Sequence, residues 1–315
     1  MLISIARSTK LQKASPFAAF TLLSAFACSA DLASMPPGTE GDSGSLPPDD
    51  SGFGGKGDDA GAGGTSSDSS VASANASSTG SGGSTAAPCD ALPLCDDFED
   101  SDVGGSLNPA LWSIMHPNCS GSGTVTVDDT QSHSGSQSVK VTGTNGYCNH
   151  VFFGHTAALE AITGTLYGRF YVRFDAALYQ GHITFMALRD EADGGKDLRM
   201  GGQNQVLMWN RESDDATLPS MSPEGTAMSV APEVGAWLCV EFTISAGGIT
   251  TTVDGAPVEG LVLDSNPTQH VDAQWSTGID PSLADFKLGW ESYSGGPMDL
   301  WFDDVALSDS PIGCL

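Results

Sequence analysis

Leu166-Tyr167-Gly168-Arg169-Phe170-Tyr171-Val172-Arg173-Phe174 alternates between two kinds of side chain. Phe170, Val172 and Phe174 fall on one face, and Tyr167, Arg169, Tyr171 and Arg173 on the other. That period of two belongs to a strand with one buried and one polar face. The same reading extends outward. Residues 124–127, 138–142, 182–189, 205–209, 237–244, 249–253, 285–290 and 299–307 are short alternating segments separated by Gly, Asp, Asn and Pro. Val253-Asp254-Gly255-Ala256 is a tight hairpin signal, because Asp-Gly tolerates the positive φ angles such a turn needs. No long stretch keeps a helical period, and residues 157–162 support a turn or two. Many short strands at regular spacing predict an all-β domain, a two-sheet antiparallel β-sandwich of jelly-roll type.

The domain occupies only part of the 315 residues. Residues 37–88 are almost entirely Gly, Ser, Ala, Asp, Thr and Pro, with one aromatic, Phe53. Such a segment buries too little apolar surface to offset its ordering entropy. Ahead of it, Arg7, Lys10 and Lys13 precede an apolar run over 14–27 that ends at Cys28. A basic region, a short apolar run and small residues form the secretory pattern, and the run is too short to span a bilayer. Residues 23–28 resemble a bacterial lipobox, although Ala25 stands where leucine is usual and Phe26 is bulky. Three segments are expected: a lipoprotein signal over 1–28 with lipidation at Cys28, a tether over 29–88, and a jelly roll over 89–315. The expected location is the outer membrane or cell surface, with membrane contact only through the lipid. An ordinary signal peptide cut nearby is the alternative.

Six further cysteines suit an oxidising compartment. They allow fifteen pairings, of which locality favours Cys89–Cys95 and Cys119–Cys148, and the pinning of the chain end to an inner strand favours Cys239–Cys314. No CxxC spacing points to thiolate metal ligation. The formal net charge is −27, and residues 89–315 hold 31 acids against 8 bases. Nucleic acid is therefore not an expected partner, since phosphate neutralisation needs clustered Lys and Arg. A soluble, acidic, monomeric extracellular domain is expected.

Alternation also sorts side chains by face. Leu238, Val240, Phe242 and Ile244 point inward and leave Glu241 and Thr243 outward, while Lys287 and Glu291 share a face of their strand. If these outward sets and that of residues 166–174 lie on one sheet, they line a groove. Tyr171, Tyr293, Trp209 and Gln203 are the natural saccharide contacts in it, with burial in the core as the alternative for Trp209. Most of the domain's bases lie from Arg169 to Arg211. That concentration suits a uronate site, or equally salt bridges to Asp190, Glu191, Asp193 and Asp197.

Asp97-Phe98-Glu99-Asp100, Ser132-His133-Ser134-Gly135-Ser136-Gln137-Ser138, the 167–174 strand and Trp301-Phe302-Asp303-Asp304-Val305 occur in that order. With Gly201-Gly202-Gln203, Trp237-Leu238-Cys239-Val240-Glu241 and Ile312-Gly313-Cys314, they resemble concanavalin-A-like jelly rolls. More narrowly they are similar to the cellulose-induced-protein core domain and its bacterial relatives, over nearly all of 95–315. The resemblance implies a structural Ca²⁺ at Asp97, Glu99, Ser134, Gln137 and Asp303, hard oxygens of the kind calcium takes, and no organic cofactor. It implies a polysaccharide partner, and the outward-facing sets offer Arg169, Tyr171, Arg199, Gln203, Glu241, Lys287 and Glu291 as the residues that would bind it. Its fold relatives include uronate lyases, so β-elimination is the alternative. In that reading Arg173, Arg169 or Arg199 neutralises a carboxylate while His182 and Tyr293 or Tyr171 move protons. A non-catalytic envelope or adhesion module is the third reading. The paired carboxylates of superfamily glucanases, and serine-hydrolase, Walker and zinc-protease motifs, are absent from the sequence.

Overall fold

The computed structural model describes residues 89–117, 122–146, 149–275, 278–293 and 295–315. The proposed signal, Cys28, the tether and the Cys119–Cys148 pairing lie outside the described residues. The strands are β1 (Leu94–Asp96), β2 (Ser113–Met115), β3 (Thr124–Asp128), β4 (Ser138–Gly143), β5 (Asn149–His155), β6 (Leu166–Phe174), β7 (Ile183–Asp190) and β8 (Lys196–Gln203). They continue as β9 (Val206–Arg211), β10 (Ala216–Leu218), β11 (Trp237–Ser245), β12 (Gly248–Val253), β13 (Ala256–Pro257), β14 (Phe286–Ser292) and β15 (Met298–Ser308). Two short helices, α1 (Ala157–Ala161) and α2 (Pro223–Thr226), lie between them. One sheet runs β13-β12-β11-β6-β15-β4-β3, with β1 also paired to β15, and the other runs β10-β9-β8-β7-β14-β5-β2. Every pairing is antiparallel. This is the expected β-sandwich. Among the described residues no helix is long and apolar enough to cross a membrane.

Inner faces of the two sheets meet in an aromatic layer. Phe170 and Phe174 of β6 face Phe185 of β7 edge-on, with ring centroids 6.3 and 5.3 Å apart. Phe302 meets Phe153 at 5.7 Å, and Phe242 meets Trp209 at 5.7 Å. Edge-to-face pairs at these spacings add to the burial of the rings themselves. The β12–β13 hairpin turns at Asp254 and Gly255, whose φ angles of 50° and 76° are those a two-residue turn demands. Trp209 is a core residue and not a sugar contact: it is fully buried, and its indole N–H donates to Thr251 Oγ1 at 2.9 Å.

The structure corrects the single-groove expectation. Tyr171, Arg169, Arg173 and Glu241 belong to the β6/β11 sheet, whereas Lys287 and Glu291 belong to the β8/β14 sheet. The polar face of β6 is also covered by the chain's own residues 313–315. Arg169 is buried and donates to the carbonyls of Asp304 and Gly313 at 3.2 and 3.1 Å. The Tyr171 hydroxyl accepts from Leu315 N at 2.8 Å and donates to Leu315 O, while the His133 ring stacks on it at 3.4 Å. Glu241 accepts from Gly313 N at 2.9 Å, and a Cys239–Cys314 disulfide fixes the segment. Burial and these bonds remove Arg169 and Tyr171 from any open glycan surface, whereas Glu241 is half-buried and lines a hollow of about 160 Å³ with Thr250, Thr252 and Pro311. Arg173 donates to Gly235 O at 3.0 Å and lies over Trp301, on the sheet opposite His182. The Cys89–Cys95 bridge is also present. Tyr171→Phe loses both bonds to Leu315 but keeps the ring stack. It should lower unfolding free energy by about 1 kcal/mol in urea titrations.

Candidate functional site

Strand alternation builds a polar surface on the far side of the second sheet. In β8, Leu198 and Met200 join the core, so Asp197, Arg199 and Gly201 face outward. In β9, Leu207 and Trp209 go in and Met208 and Asn210 go out; in β14, Leu288 and Trp290 go in and Lys287, Gly289 and Glu291 go out. Register then aligns Thr217, Asn210 and Arg199 across β10, β9 and β8. Ala187, the next residue in that row, is small enough for long side chains to lie across the sheet. Gly201 is required by close approach: a Cβ there would sit 1.8 Å from the Ile183 carbonyl oxygen.

A cleft of about 520 Å³ opens over this surface, lined by His182, Arg199, Gln203, Asn210, Met221 and Tyr293, with Glu212, Asp215 and Thr217 around them. The structure thus brings together His182, Tyr293 and the β8 pair Arg199 and Gln203 from three separate sequence segments. A larger concavity of about 600 Å³ by α1 and residues 280–283 has Asp280 as its one titratable lining group. It offers no comparable chemistry.

The guanidinium of Arg199 is committed within the protein. It donates to Glu291 Oε1 at 2.9 Å and to Asn210 Oδ1 at 3.0 Å, and Asp215 Oδ1 lies 3.6 Å away. Arg199 and Glu291 are both almost fully buried, so losing either would strand the other's charge at a cost of about 3–5 kcal/mol. Glu291 is therefore a partner of Arg199 and not an exposed sugar ligand. Lys287 is likewise buried, donating to Asp197 at 3.0 Å and Asp285 at 2.5 Å.

Burial holds His182 well below its ordinary pKa, at about 4, and the Arg199 charge pushes the same way. The ring is neutral at ordinary pH, and its Nε2 is a buried atom with no partner among the described residues. Thr184 Oγ1 on β7 and His150 Nε2 on β5, the two strands that flank β14, share that condition. The His150 ring meets Tyr293 edge-on at 5.3 Å. Burial and then the Glu291 charge raise the Tyr293 hydroxyl above the usual phenol range, so it stays protonated.

Asn210, Glu212, Asp215, Thr217, His150 and Thr184 escape the sequence reading. Asn210 alternates with Trp209 and was one residue beyond the expected strand. His150 lies in β5, where apolar neighbours follow one another and blur the period.

The expected calcium ligands divide. Asp303 is buried next to Asp304, and burial followed by that neighbouring charge raises its pKa to about 7. It accepts from His133 N at 2.7 Å and Ser134 N at 3.2 Å. Gln137 Oε1 is buried with no partner, a hard oxygen left open. Glu99 accepts from Ser136 N, Ser136 Oγ and Gln137 N at 2.7–2.8 Å, and Ser134 Oγ donates to Asp304. Asp97 is exposed, and its carboxylate accepts from Glu99 N at 3.3 Å. Asp303 Oδ1 also accepts from Asp304 N at 2.8 Å, and Asp304 is held by His133 and Ser134, so both acids are satisfied as Glu99 is, and the Gln137 carbonyl is the open oxygen. Cys239, Glu241 and Cys314 also converge, but the two sulfurs are joined to each other and supply no thiolate.

An antiparallel jelly roll with a polar, partly desolvated cleft on one sheet defines a class shared by lectins and polysaccharide-active enzymes. Within it, the chain belongs to the family described as Cip1-like, core domain, of the polysaccharide lyase-like group, whose model matches residues 97–310. It is similar to the solved structure of cellulose induced protein, Cip1, with 41% identity and a TM-score of 0.65, covering 70% of this chain and 100% of that one. It is also similar to an endo-β-1,4-glucuronan lyase from the fungus Trichoderma reesei, with 18% identity and a TM-score of 0.46, covering 66% of this chain and 94% of that one. A search of curated proteins gave no match.

The His182 shift has a stability consequence with a definite sign. Between about pH 6.5 and about 4 the unfolded chain binds a proton that the folded chain refuses. Its contribution is therefore complete above about pH 6.5 and is lost as pH falls toward 4. His182→Asn should reduce the acid-induced loss of stability by roughly 2 kcal/mol, read as the wild-type minus variant difference in urea unfolding at neutral and acid pH.

Proposed function

We propose that the protein is exported, lipid-anchored at Cys28, and binds polysaccharide through the cleft at His182, Arg199, Gln203 and Tyr293. One observation carries the binding reading. Polar side chains converge on a rigid sheet, with buried polar atoms, His182 Nε2 first among them, left without partners. Leaving such groups unpaired is costly, and sugar hydroxyls are both donors and acceptors. The anchoring reading is supported by the basic and apolar segments before Cys28 and by the composition of the stretch behind it.

A second reading, β-elimination on a uronate polymer, is favoured by the protonation of the site. His182 is neutral, as a base must be, and Tyr293 keeps its proton, as an acid must. It needs a third group to neutralise the substrate carboxylate, and Arg199 is already paired with Glu291. Arg173, expected in that role, is on the other sheet. Binding without cleavage is therefore the preferred reading.

Calcium is proposed at the 133–137 loop, held by Gln137 and Asp303 with Glu99, Asp97 and Ser134 around them. Bound there it would neutralise the Asp303–Asp304 pair and tie that loop to β15, a structural role.

Two measurements test these readings. Gln203→Ala and Tyr293→Phe should each weaken glycan retention in affinity gel electrophoresis by roughly 5- to 30-fold, the loss of one or two hydrogen bonds. No unsaturated product should accumulate on uronate polymers; ultraviolet absorbance that rises with wild type and not with His182→Ala would replace binding by lyase action. For calcium, chelation should lower Tm by about 5–10 °C and added Ca²⁺ restore it. Gln137→Ala should be insensitive to both, and an unchanged wild-type Tm would remove the ion from the proposal.

A further inference from the structure

We infer that the cleft takes an uncharged stretch of glycan and discriminates against uronates, an inference that rests on the binding reading above and names its ligand class. Every base on the cleft-bearing sheet and its loops already has an acid. Arg199 lies against Glu291 and Asp215, and Lys287 against Asp197 and Asp285. Lys196 bonds Glu212 at 3.0 Å, Arg211 bonds Asp214 at 2.6 Å, and Arg189 bonds Glu191 at 2.9 Å. Acids outnumber bases in these pairings, seven to five. Arg169, Arg173 and Lys140, the domain's remaining bases, belong to the other sheet. A uronate carboxylate entering the cleft would meet the exposed Asp215 and, behind it, a Glu212 already held by Lys196, with the Arg199 charge offset by Glu291 and Asp215.

The adjoining surface points the same way. Beyond Gln203 and Met221, which line both hollows, a small recess of about 10 Å³ over Asn204, Val206, Met208 and Thr226 carries no charged side chain. Met221 is half-exposed at the shared rim, on a loop pinned by Ser220 N donating to His270 O at 3.1 Å. A thioether rim with amide and hydroxyl neighbours suits a sugar ring, which presents C–H faces and hydroxyl edges. It offers a carboxylate no counter-charge.

The experiment is isothermal titration of the full chain with neutral hexasaccharides (cello-, xylo- and manno-) and with glucuronate, galacturonate and mannuronate oligomers of equal length. Each is run with EDTA and then with calcium. At least one neutral oligomer should bind about tenfold or more tighter than every uronate, the size that like charges in a cleft support. Asp215→Asn, at a largely exposed residue whose positive φ asparagine tolerates, should narrow that gap, and Glu212→Gln should narrow it too. Uronates binding as well as neutral glycans in EDTA would overturn the inference and leave the binding reading intact. Uronates gaining affinity only with calcium would overturn it as well, by showing a cation-bridged carboxylate. If no oligomer of either class binds, the binding reading itself fails and takes the inference with it.

Discussion

A one-residue slip of β6 against β11 or β15 would turn Arg169, Tyr171 and Arg173 into the aromatic layer and expel Phe170, Val172 and Phe174. The penalty combines the lost burial of two phenylalanines and a valine with two unpaired guanidinium groups in a dry interior. That constraint fixes the register of the central strand of the eight-stranded sheet. Through the Phe170–Phe185 and Phe174–Phe185 contacts it also fixes how the second sheet lies on the first. The cleft depends on the same alignment. Arg199 reaches Asn210 and Glu291 only because β7, β8, β9 and β14 hold their outward residues in one set of rows.

The two outer faces solve the same problem differently. Each carries buried charge, which is stable only when paired and hydrogen-bonded. On the eight-stranded sheet, Arg169 is satisfied mainly by backbone carbonyls, and residues 313–315 close over it under the Cys239–Cys314 bridge. On the seven-stranded sheet, the charges satisfy one another in side-chain pairs, so no segment of chain is needed to cover them. The first arrangement leaves a closed surface. The second leaves an open one with polar atoms unspent at its edge.

Strands with clean alternation were legible from sequence, and β6 was read to the residue. Those with two polar or two apolar neighbours in a row were not. Lys196-Asp197-Leu198-Arg199-Met200-Gly201 places three charges in its first four residues and has glycine where close approach to Ile183 demands it, which disguises β8. In β5, Val151, Phe152 and Phe153 are all buried, because Phe152 lies on the outer face yet is still covered. Side-chain chemistry was legible too: His182, Arg199, Gln203 and Tyr293 stand out by type alone. What the sequence could not supply was which strands share a sheet. Jelly-roll connections place β7 beside β14 across about a hundred residues of chain, and no local pattern records that neighbourhood. The error with Arg169, Tyr171, Arg173 and Glu241 was of this kind. Alternation shows that they face outward, but only the fold shows that residues 313–315 cover Arg169 and Tyr171.

The charge of the whole domain and the charge of the cleft have the same sign but act over different ranges. At physiological ionic strength the Debye length is about 8 Å, so most of the domain's surplus of acids is screened from a chain approaching the cleft. Asp215 and Glu212, on the cleft walls, are within contact distance of anything seated there and are screened far less. Selection among glycans is therefore set by these few groups and by the committed state of Arg199, not by overall acidity. Arg199 illustrates the distinction most directly. In a list of residue types it is a cation at a sugar site, and a uronate ligand is the natural reading. Held between Glu291, Asn210 and Asp215, it keeps its shape and its hydrogen-bond geometry while the two carboxylates offset its charge, and it serves to orient the cleft floor.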